Sequence, residues 1–243
     1  VALIGRNGSG KTTILQNIMN LLEPSQGKVL LHGESIRGKG SAQVAQTVGY
    51  VFQHPERQMF LPTVLKEVAY GPLRQGLSKD EAEKKALMAL ERVKIGHLAE
   101  EYPKALSKGE IQRVAIAIVL ALDPELIILD EPTSGQDGAA TQGLSKLLKR
   151  LHEVGTSSHL VTHNMELLAE SAVRCAIKKK KKKVFDGSTN ELFQSCDCQE
   201  WGLEMPVWLD IARHIEGFPQ IDANDPGGLI REVIALKEGG KMS

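Results

Sequence analysis

The segment "VALIGRNGSGKTTILQNI", residues 1–18, limits what this chain can fold into more than any other. Apolar "VALI" reads as a strand, "GRNGSGK" is too rich in glycine for regular structure, and Ile14, Leu15, Ile18, Leu21 and Leu22 recur behind it at helical spacing. Glycines at positions 5, 8 and 10 let backbone N–H groups turn inward, and a helix opening near Lys11 adds its positive end, so the unit is suited to an anion such as phosphate. Gly5 to Thr12 fits G-x-x-x-x-G-K-[ST], and the strand–loop–helix context is the one that gives this pattern weight against the plain alternative of a functionless turn. Lys11 then supplies a charge to the β and γ phosphates and Thr12 a hydroxyl to Mg²⁺, with Asn7, Ser9 and Thr13 in the same phosphate-binding set.

The rest of the chain supplies the scaffold. "GKVLLHG" and "TVGYVF" read as two short strands. From about Pro62 to Pro103 the pattern is helical, with Ser78 and Glu81 forming a capping box and Ala86, Leu90 and Val93 on one face. Then follow a helix at Ser107, the strand "LIIL", a helix from about Asp137 to Glu153, the strand "HLVT" and a helix from Asn164. Strands alternating with helices predict an α/β fold: a mostly parallel sheet with helices on both faces and ligands at the carboxyl ends of the strands. At 243 residues the chain suffices for one large or two modest domains. Its longest apolar runs, "AIAIVLAL" and "LIIL", fall far short of the roughly 20 residues that span a bilayer. Formal net charge is zero, so nothing global draws the chain to nucleic acid, and no nucleic-acid partner is expected. Cys175, Cys196 and Cys198 lack paired zinc spacings and read as reduced thiols, with metal binding by Cys196 and Cys198 the lesser alternative.

Several residues stand where chemistry would be done. "LIILDEP", Leu126 to Pro132, is expected to bury four apolar residues and then expose two carboxylates. Asp130 is placed to hold Mg²⁺ and Glu131 to act as general base toward a water, against the alternative of a helix cap. His163 closes the strand "HLVTH" and suits a group that bonds the γ phosphate; Gln53, just past "GYVF", offers an amide that can orient water or complete a magnesium shell. In "LSKGEIQRV", Ser107 and Glu110 form a second capping box, and the positive start of that helix is a further place for an anion. Lys178 to Lys183 read as an exposed hairpin connection between "VRCAI" and "VFDG", or less readily as a basic patch. In the tail, Pro206 opens an amphipathic piece with Trp208, Ile211 and Ile215 on one face, and Ile230, Val233 and Ile234 mark another.

Together these stretches resemble the nucleotide-binding subunits of ATP-binding cassette (ABC) transporters over nearly the whole chain. "GRNGSGKT" resembles the Walker A, "VFQ" the Q-loop, "LSKGEIQRV" the signature, "LIILDEP" the Walker B, "SGQD" with Asp137 the D-loop, and "VTHN" the switch-histidine region. Where the familiar signature has Leu-Ser-Gly-Gly-Gln, Lys108 and Glu110 here replace a glycine and the glutamine, while Ser107 and Gly109 remain. The resemblance implies a P-loop (RecA-like) core, ATP and Mg²⁺ as cofactors, and a dimer in which Ser107, Gly109 and Glu110 touch the ATP of the opposing subunit. It implies a first part of the core over 1–52, the Q-loop and helical subdomain over 53–105, the signature helix and the rest of the core over 106–195, and a C-terminal extension over 196–243 that joins the ATPases.

"GYVFQHPERQMFLPTVLKEVAYGP" and the tail are most similar to the energy-coupling factor and cobalt-type importer ATPases. That similarity implies a homodimer, or a heterodimer with a second ABC ATPase, on the cytoplasmic face of the membrane. A transmembrane coupling protein and a substrate-binding membrane protein complete such importers, whose cargo is a metal ion (cobalt or nickel) or a vitamin. The chain opens inside a strand pattern without Met and is expected to lack upstream antiparallel strands, which in the family carry an aromatic residue that stacks on adenine. Two rival readings are a soluble ABC ATPase acting on DNA or ribosomes, and a truncated, non-catalytic regulatory fragment.

Overall fold

A computed structural model describes residues 1–6, 8–179, 182–194, 198, 200–214, 228 and 231. Asn7, Lys180, Lys181, Cys196 and the tail positions Ile215, Ile230, Val233 and Ile234 lie outside them. In chain order the elements begin β1 (Ala2–Ile4), α1 (Lys11–Ile18), β2 (Leu30–Leu31), β3 (Glu34–Ser35), α2 (Ser41–Val44) and β4 (Val48–Val51). Next come α3 (Val64–Arg74), α4 (Lys79–Arg92), α5 (Lys108–Leu120), β5 (Leu126–Asp130), α6 (Gly138–Glu153) and β6 (Ser157–Thr162). The chain continues through α7 (Met165–Ser171), β7 (Arg174–Lys179), β8 (Lys182–Ser188), α8 (Thr189–Gln194) and α9 (Val207–His214). The fold is α/β, with mostly parallel strands flanked by helices. No helix among the described residues is long and apolar enough to cross a membrane.

Two compact units divide the chain. One comprises 1–11 and the residues from 160 onward. In it β1 lies parallel to the end of β6, with Ile4 opposite Thr162, and parallel to β7, with Ile4 opposite Ile177. Ala2, Ile4, Val161 and Ile177 of these strands are buried. β8 runs antiparallel to β7 and brings Lys178 opposite Lys183 and Lys179 opposite Lys182. Four of the six lysines are therefore strand residues, not connection: the cross-strand ladder overrides their mutual repulsion, and Lys183 finds Asp186 at 2.9 Å. In α9 the sequence reading is corrected. Pro206 sits one residue ahead of the helix, whose Asp210 N–H donates to the Pro206 carbonyl. Leu209 is the buried residue, Trp208 is half-buried and Ile211 is exposed.

The other unit is residues 12–159. β4 and β5 pair in parallel with Tyr50 opposite Ile128 and Val51 opposite Leu129. α5 covers them, burying Val114, Ile116, Ala117 and Leu120. α3 and α4 pack together and against α5, and Arg113 of α5 donates to the Val93 carbonyl at 3.0 Å, tying the end of α4 to the core. Ala86, Leu90 and Val93 are fully buried, so the predicted helical insert uses its predicted face. Two expectations fail. α1 stops at Ile18 because Asn20 turns left-handed (φ 53°) and the Leu21 N–H bonds back to the Gln16 carbonyl, leaving Leu21 and Leu22 exposed. "GKVLLHG" yields only the two-residue strand β2, because His32 and Gly33, both at positive φ, make the tight turn of a hairpin to β3.

Candidate functional site

In the first unit the strand pairing sets the site. Ile4 stands opposite Thr162, so the phosphate loop leaving β1 and His163 leaving β6 emerge from the same end of neighbouring parallel strands. Gly8 and Gly10 take φ values of 79° and 92°, which a side chain would disfavour and which curl the loop. The Ser9 N–H closes a turn onto the Arg6 carbonyl at 3.1 Å, and Lys11 Nζ folds back to the Gly5 carbonyl at 2.5 Å. Ser9 is 5% exposed, yet its hydroxyl has no hydrogen-bond partner among the described residues. A buried orphan hydroxyl in a loop curled by two glycines at positive φ fits a bound phosphate. Lys178 of β7 also reaches this loop, with Nζ 3.5 Å from the Gly10 carbonyl. His163 is exposed, just ahead of Asn164, whose side chain caps α7.

In the second unit Thr12, Gln53 and Asp130, from three separate segments, line one cavity of about 310 Å³ together with Tyr50. A hydroxyl, an amide oxygen and a carboxylate are the hard donors that suit Mg²⁺. The carboxylates at the end of β5 are not exposed as expected: Asp130 and Glu131 are each 7% exposed. Asp130 tolerates burial because the Tyr50 hydroxyl donates to its Oδ2 at 2.7 Å. Burial, and then this hydrogen bond, push the Tyr50 phenol far above its ordinary value. Leu126 is half-buried, so β5 buries three apolar residues, Ile127, Ile128 and Leu129, where four were expected. Thr13 is exposed on the first turn of α1 and its carbonyl accepts from Asn17.

Ser107, Gly109, Glu110 and Asp137 lie in the same unit but do not line this cavity. Both halves of the predicted box at Ser107 form: the Glu110 N–H donates to Ser107 Oγ at 3.4 Å, and the Ser107 N–H and hydroxyl both donate to Glu110 Oε2, at 2.9 and 2.6 Å. Those two bonds hold the Glu110 carboxyl below the usual carboxylate range. The helix start stands beside the segment Ser134–Asp137: Lys108 Nζ lies 3.2 Å from where a Cβ on Gly135 would be. Asp137 caps α6 by accepting the Ala140 N–H at 2.8 Å. Beyond Gln53, the Phe60 and Leu61 N–H groups donate to buried Glu67 of α3, which holds that segment in place. Phe60 and Tyr70, both exposed, meet edge to face at 5.5 Å.

Sequence reasoning missed Tyr50 and Glu67. The available signal for Tyr50 was a phenol inside a short apolar strand, one position ahead of its end. Cys175 and Cys198 are buried, and among the described residues no cluster of three or more His, Cys, Asp and Glu could hold a metal. Burial, chiefly, pushes the Cys175 thiol up to about 12, which keeps it protonated and inert.

A glycine-rich loop between a parallel strand and a helix, with a strand-end aspartate and a hydroxyl on one cavity, defines a phosphate-loop nucleotide-binding protein. The family model "ABC transporter" matches residues 1–134. A putative ABC transporter ATP-binding protein of Pyrococcus horikoshii is 40% identical over 88% of this chain and 82% of its own length. The energy-coupling factor transporter ATP-binding protein EcfA2 of Bacillus subtilis is 38% identical over 99% of this chain and 91% of its own. A putative ABC transporter ATP-binding protein of Methanosarcina acetivorans is 40% identical over 80% of this chain, which spans only 32% of that relative. Among solved structures, cbiO1 of Clostridium perfringens, part of the ABC transporter complex cbiONQ, superposes with a TM-score of 0.73 at 32% identity, covering 87% of this chain and 86% of that one. The ATP-binding cassette MJ0796, in a dimeric post-hydrolysis state with ADP and Pi, gives 0.67 at 28% identity over 77% and 84%. The chain belongs to the ABC transporter family, as one of its ATP-hydrolysing subunits.

Proposed function

We propose that this ATPase powers an importer of the energy-coupling factor type. Gly5, Asn7, Gly8, Ser9, Gly10, Lys11, Thr12 and Thr13 hold the ATP phosphates, and Thr12, Gln53 and Asp130 hold Mg²⁺. A bound magnesium ion supplies charge neutralisation at the β and γ phosphates. Glu131 takes a proton from the attacking water and His163 steadies the γ phosphate. Ser107, Gly109 and Glu110, standing away from the cavity their own chain forms, meet the ATP of an opposing subunit, with Asp137 beside them at the junction. The opposing subunit is a second copy or a related ATPase, and the extension from residue 196 joins the two. The pair sits on the cytoplasmic face of the membrane, attached to a transmembrane coupling protein and a substrate-binding membrane protein, and the cargo is a metal ion such as cobalt or nickel, or a vitamin.

The observation that carries this reading is the convergence of Thr12, Gln53 and Asp130 on one cavity. The match to EcfA2 over nearly the whole chain supports the importer type. The exposed pair Phe60 and Tyr70, held just beyond Gln53, supports a membrane partner there, since aromatic side chains are enriched where interfaces bury their cores. Affinity purification from native membranes should recover an integral membrane protein with this chain, and replacing Phe60 and Tyr70 with serine should release it while ATP binding persists. Recovery with nucleic acid alone would overturn the importer reading.

A further inference from the structure

Tyr50 stands just ahead of "VFQ" and has no role in the reading above, yet its hydroxyl meets the carboxylate read as the magnesium holder, 2.7 Å from Asp130 Oδ2. The parallel register explains how it gets there. Tyr50 stands opposite Ile128, and side chains alternate along a strand, so Asp130 two residues on projects from the same face. A phenol leaning along the strand direction spans that one step, whereas a serine or threonine at 50 would fall short. The ring is itself held, edge to face against Phe52 with centroids 4.4 Å apart and planes at 87°. Asp130 at 7% exposure cannot rely on water for its orientation. Three residues beyond Tyr50, Gln53 lines the same cavity, as does Thr12.

We propose that Tyr50 is a positioning residue for the divalent cation: its hydroxyl fixes the Asp130 carboxylate and thereby sets how tightly the metal–nucleotide complex is held. This rests on the reading of Asp130 as a magnesium holder. Hydrogen-bond partners of ligating groups commonly govern metal affinity by 10- to 100-fold, because they fix the orientation and basicity of the ligand. One short stretch, from the end of β4 into the following loop, then provides both a ligand, Gln53, and the partner that orients another.

The test uses Mn²⁺ as a paramagnetic probe with the full chain and ADP. Tyr50→Phe keeps the ring and its contact with Phe52 and removes only the hydroxyl. It should weaken Mn²⁺ binding to the ADP-loaded protein roughly 10-fold and leave ADP binding in EDTA unchanged. An affinity in Tyr50→Phe within about twofold of the parent overturns the proposal. Asp130→Asn separates the two layers: full Mn²⁺ affinity there overturns the magnesium reading itself, whereas loss there with none in Tyr50→Phe overturns only the role of Tyr50. A second measurement needs no change at position 50. With 3-fluorotyrosine at the three tyrosines, and Tyr70→Phe and Tyr102→Phe to identify the others, the fluorine resonance of Tyr50 should shift when Mg²⁺ joins the ADP-loaded protein; an unmoved resonance counts against the proposal.

Discussion

Glu131 takes a φ of 45°, in the left-handed region where a residue with a Cβ is uncommon, directly after the last residue of β5. Holding such a conformation costs on the order of 1–3 kcal/mol, and it persists where the surroundings fix a side chain for a purpose. The turn is secured by the Ser134 N–H bonding to the Glu131 carbonyl at 3.0 Å. Glu131→Gln keeps size and backbone, so ATP binding should survive while hydrolysis falls by roughly 100-fold or more. A filter-binding assay and a phosphate-release assay on the same preparation measure the two, and undiminished release would remove Glu131 as the base. Residues of this kind were legible in the sequence because their meaning is local: Lys11 and Thr12 follow their glycines at fixed spacing, and Asp130 and Glu131 close an apolar run. That these carboxylates are buried was not legible, and neither was the Tyr50 hydroxyl that meets Asp130 from eighty positions away, brought near by strand register.

At the level of elements, the helix starts and the strands β1, β4 and β5 could be read in advance, and the extent of β2 and the existence of β3 could not. Ser78 with Glu81 and Ser107 with Glu110 form the boxes their spacing predicts, since both partners lie within one turn. The two-residue extent of β2 escaped prediction because one hairpin turn, not the apolar run, decides it. α9 buries Leu209 where periodicity favoured Ile211, a choice made by whatever surface the helix meets. The seat of α5 on β4 depends on Gly49, where a Cβ would collide with Val119 Cγ1 and come within 3.2 Å of Pro124. Gly49→Ala must therefore push α5 off the strand or tilt Val119 from its rotamer. A loss of about 1–3 kcal/mol is expected in urea unfolding, with the midpoint lowered and the slope unchanged. If Gly49→Ala unfolded at the parent's midpoint, the close seat of α5 on β4 would not be a source of stability.

For the whole molecule, the question is whether one chain completes its own site. Ser107, Gly109 and Glu110 stand at an exposed helix start away from the cavity of Thr12, Gln53 and Asp130, and MJ0796, a structural neighbour, is a dimer. In a closed two-fold pair each site would combine the phosphate loop and Glu131 of one chain with Ser107 of the other. That arrangement predicts an outcome no single-chain site can give. Glu131→Gln and Ser107→Arg should each bind ATP and each fail to hydrolyse it. Mixed in equal amounts, they form some pairs in which intact Glu131 of the second variant faces intact Ser107 of the first. Hydrolysis should then return to roughly a quarter of the parental rate, since half the pairs are mixed and each has one whole site. A site built within one chain leaves every site in the mixture with a defect, so a mixture as inactive as its components would place Ser107 and Glu131 in the same chain's site. The same experiment judges the lysine at 108: Lys108→Gly should leave the recovery intact if Ser107 and Gly109 are the groups that face the partner's ATP.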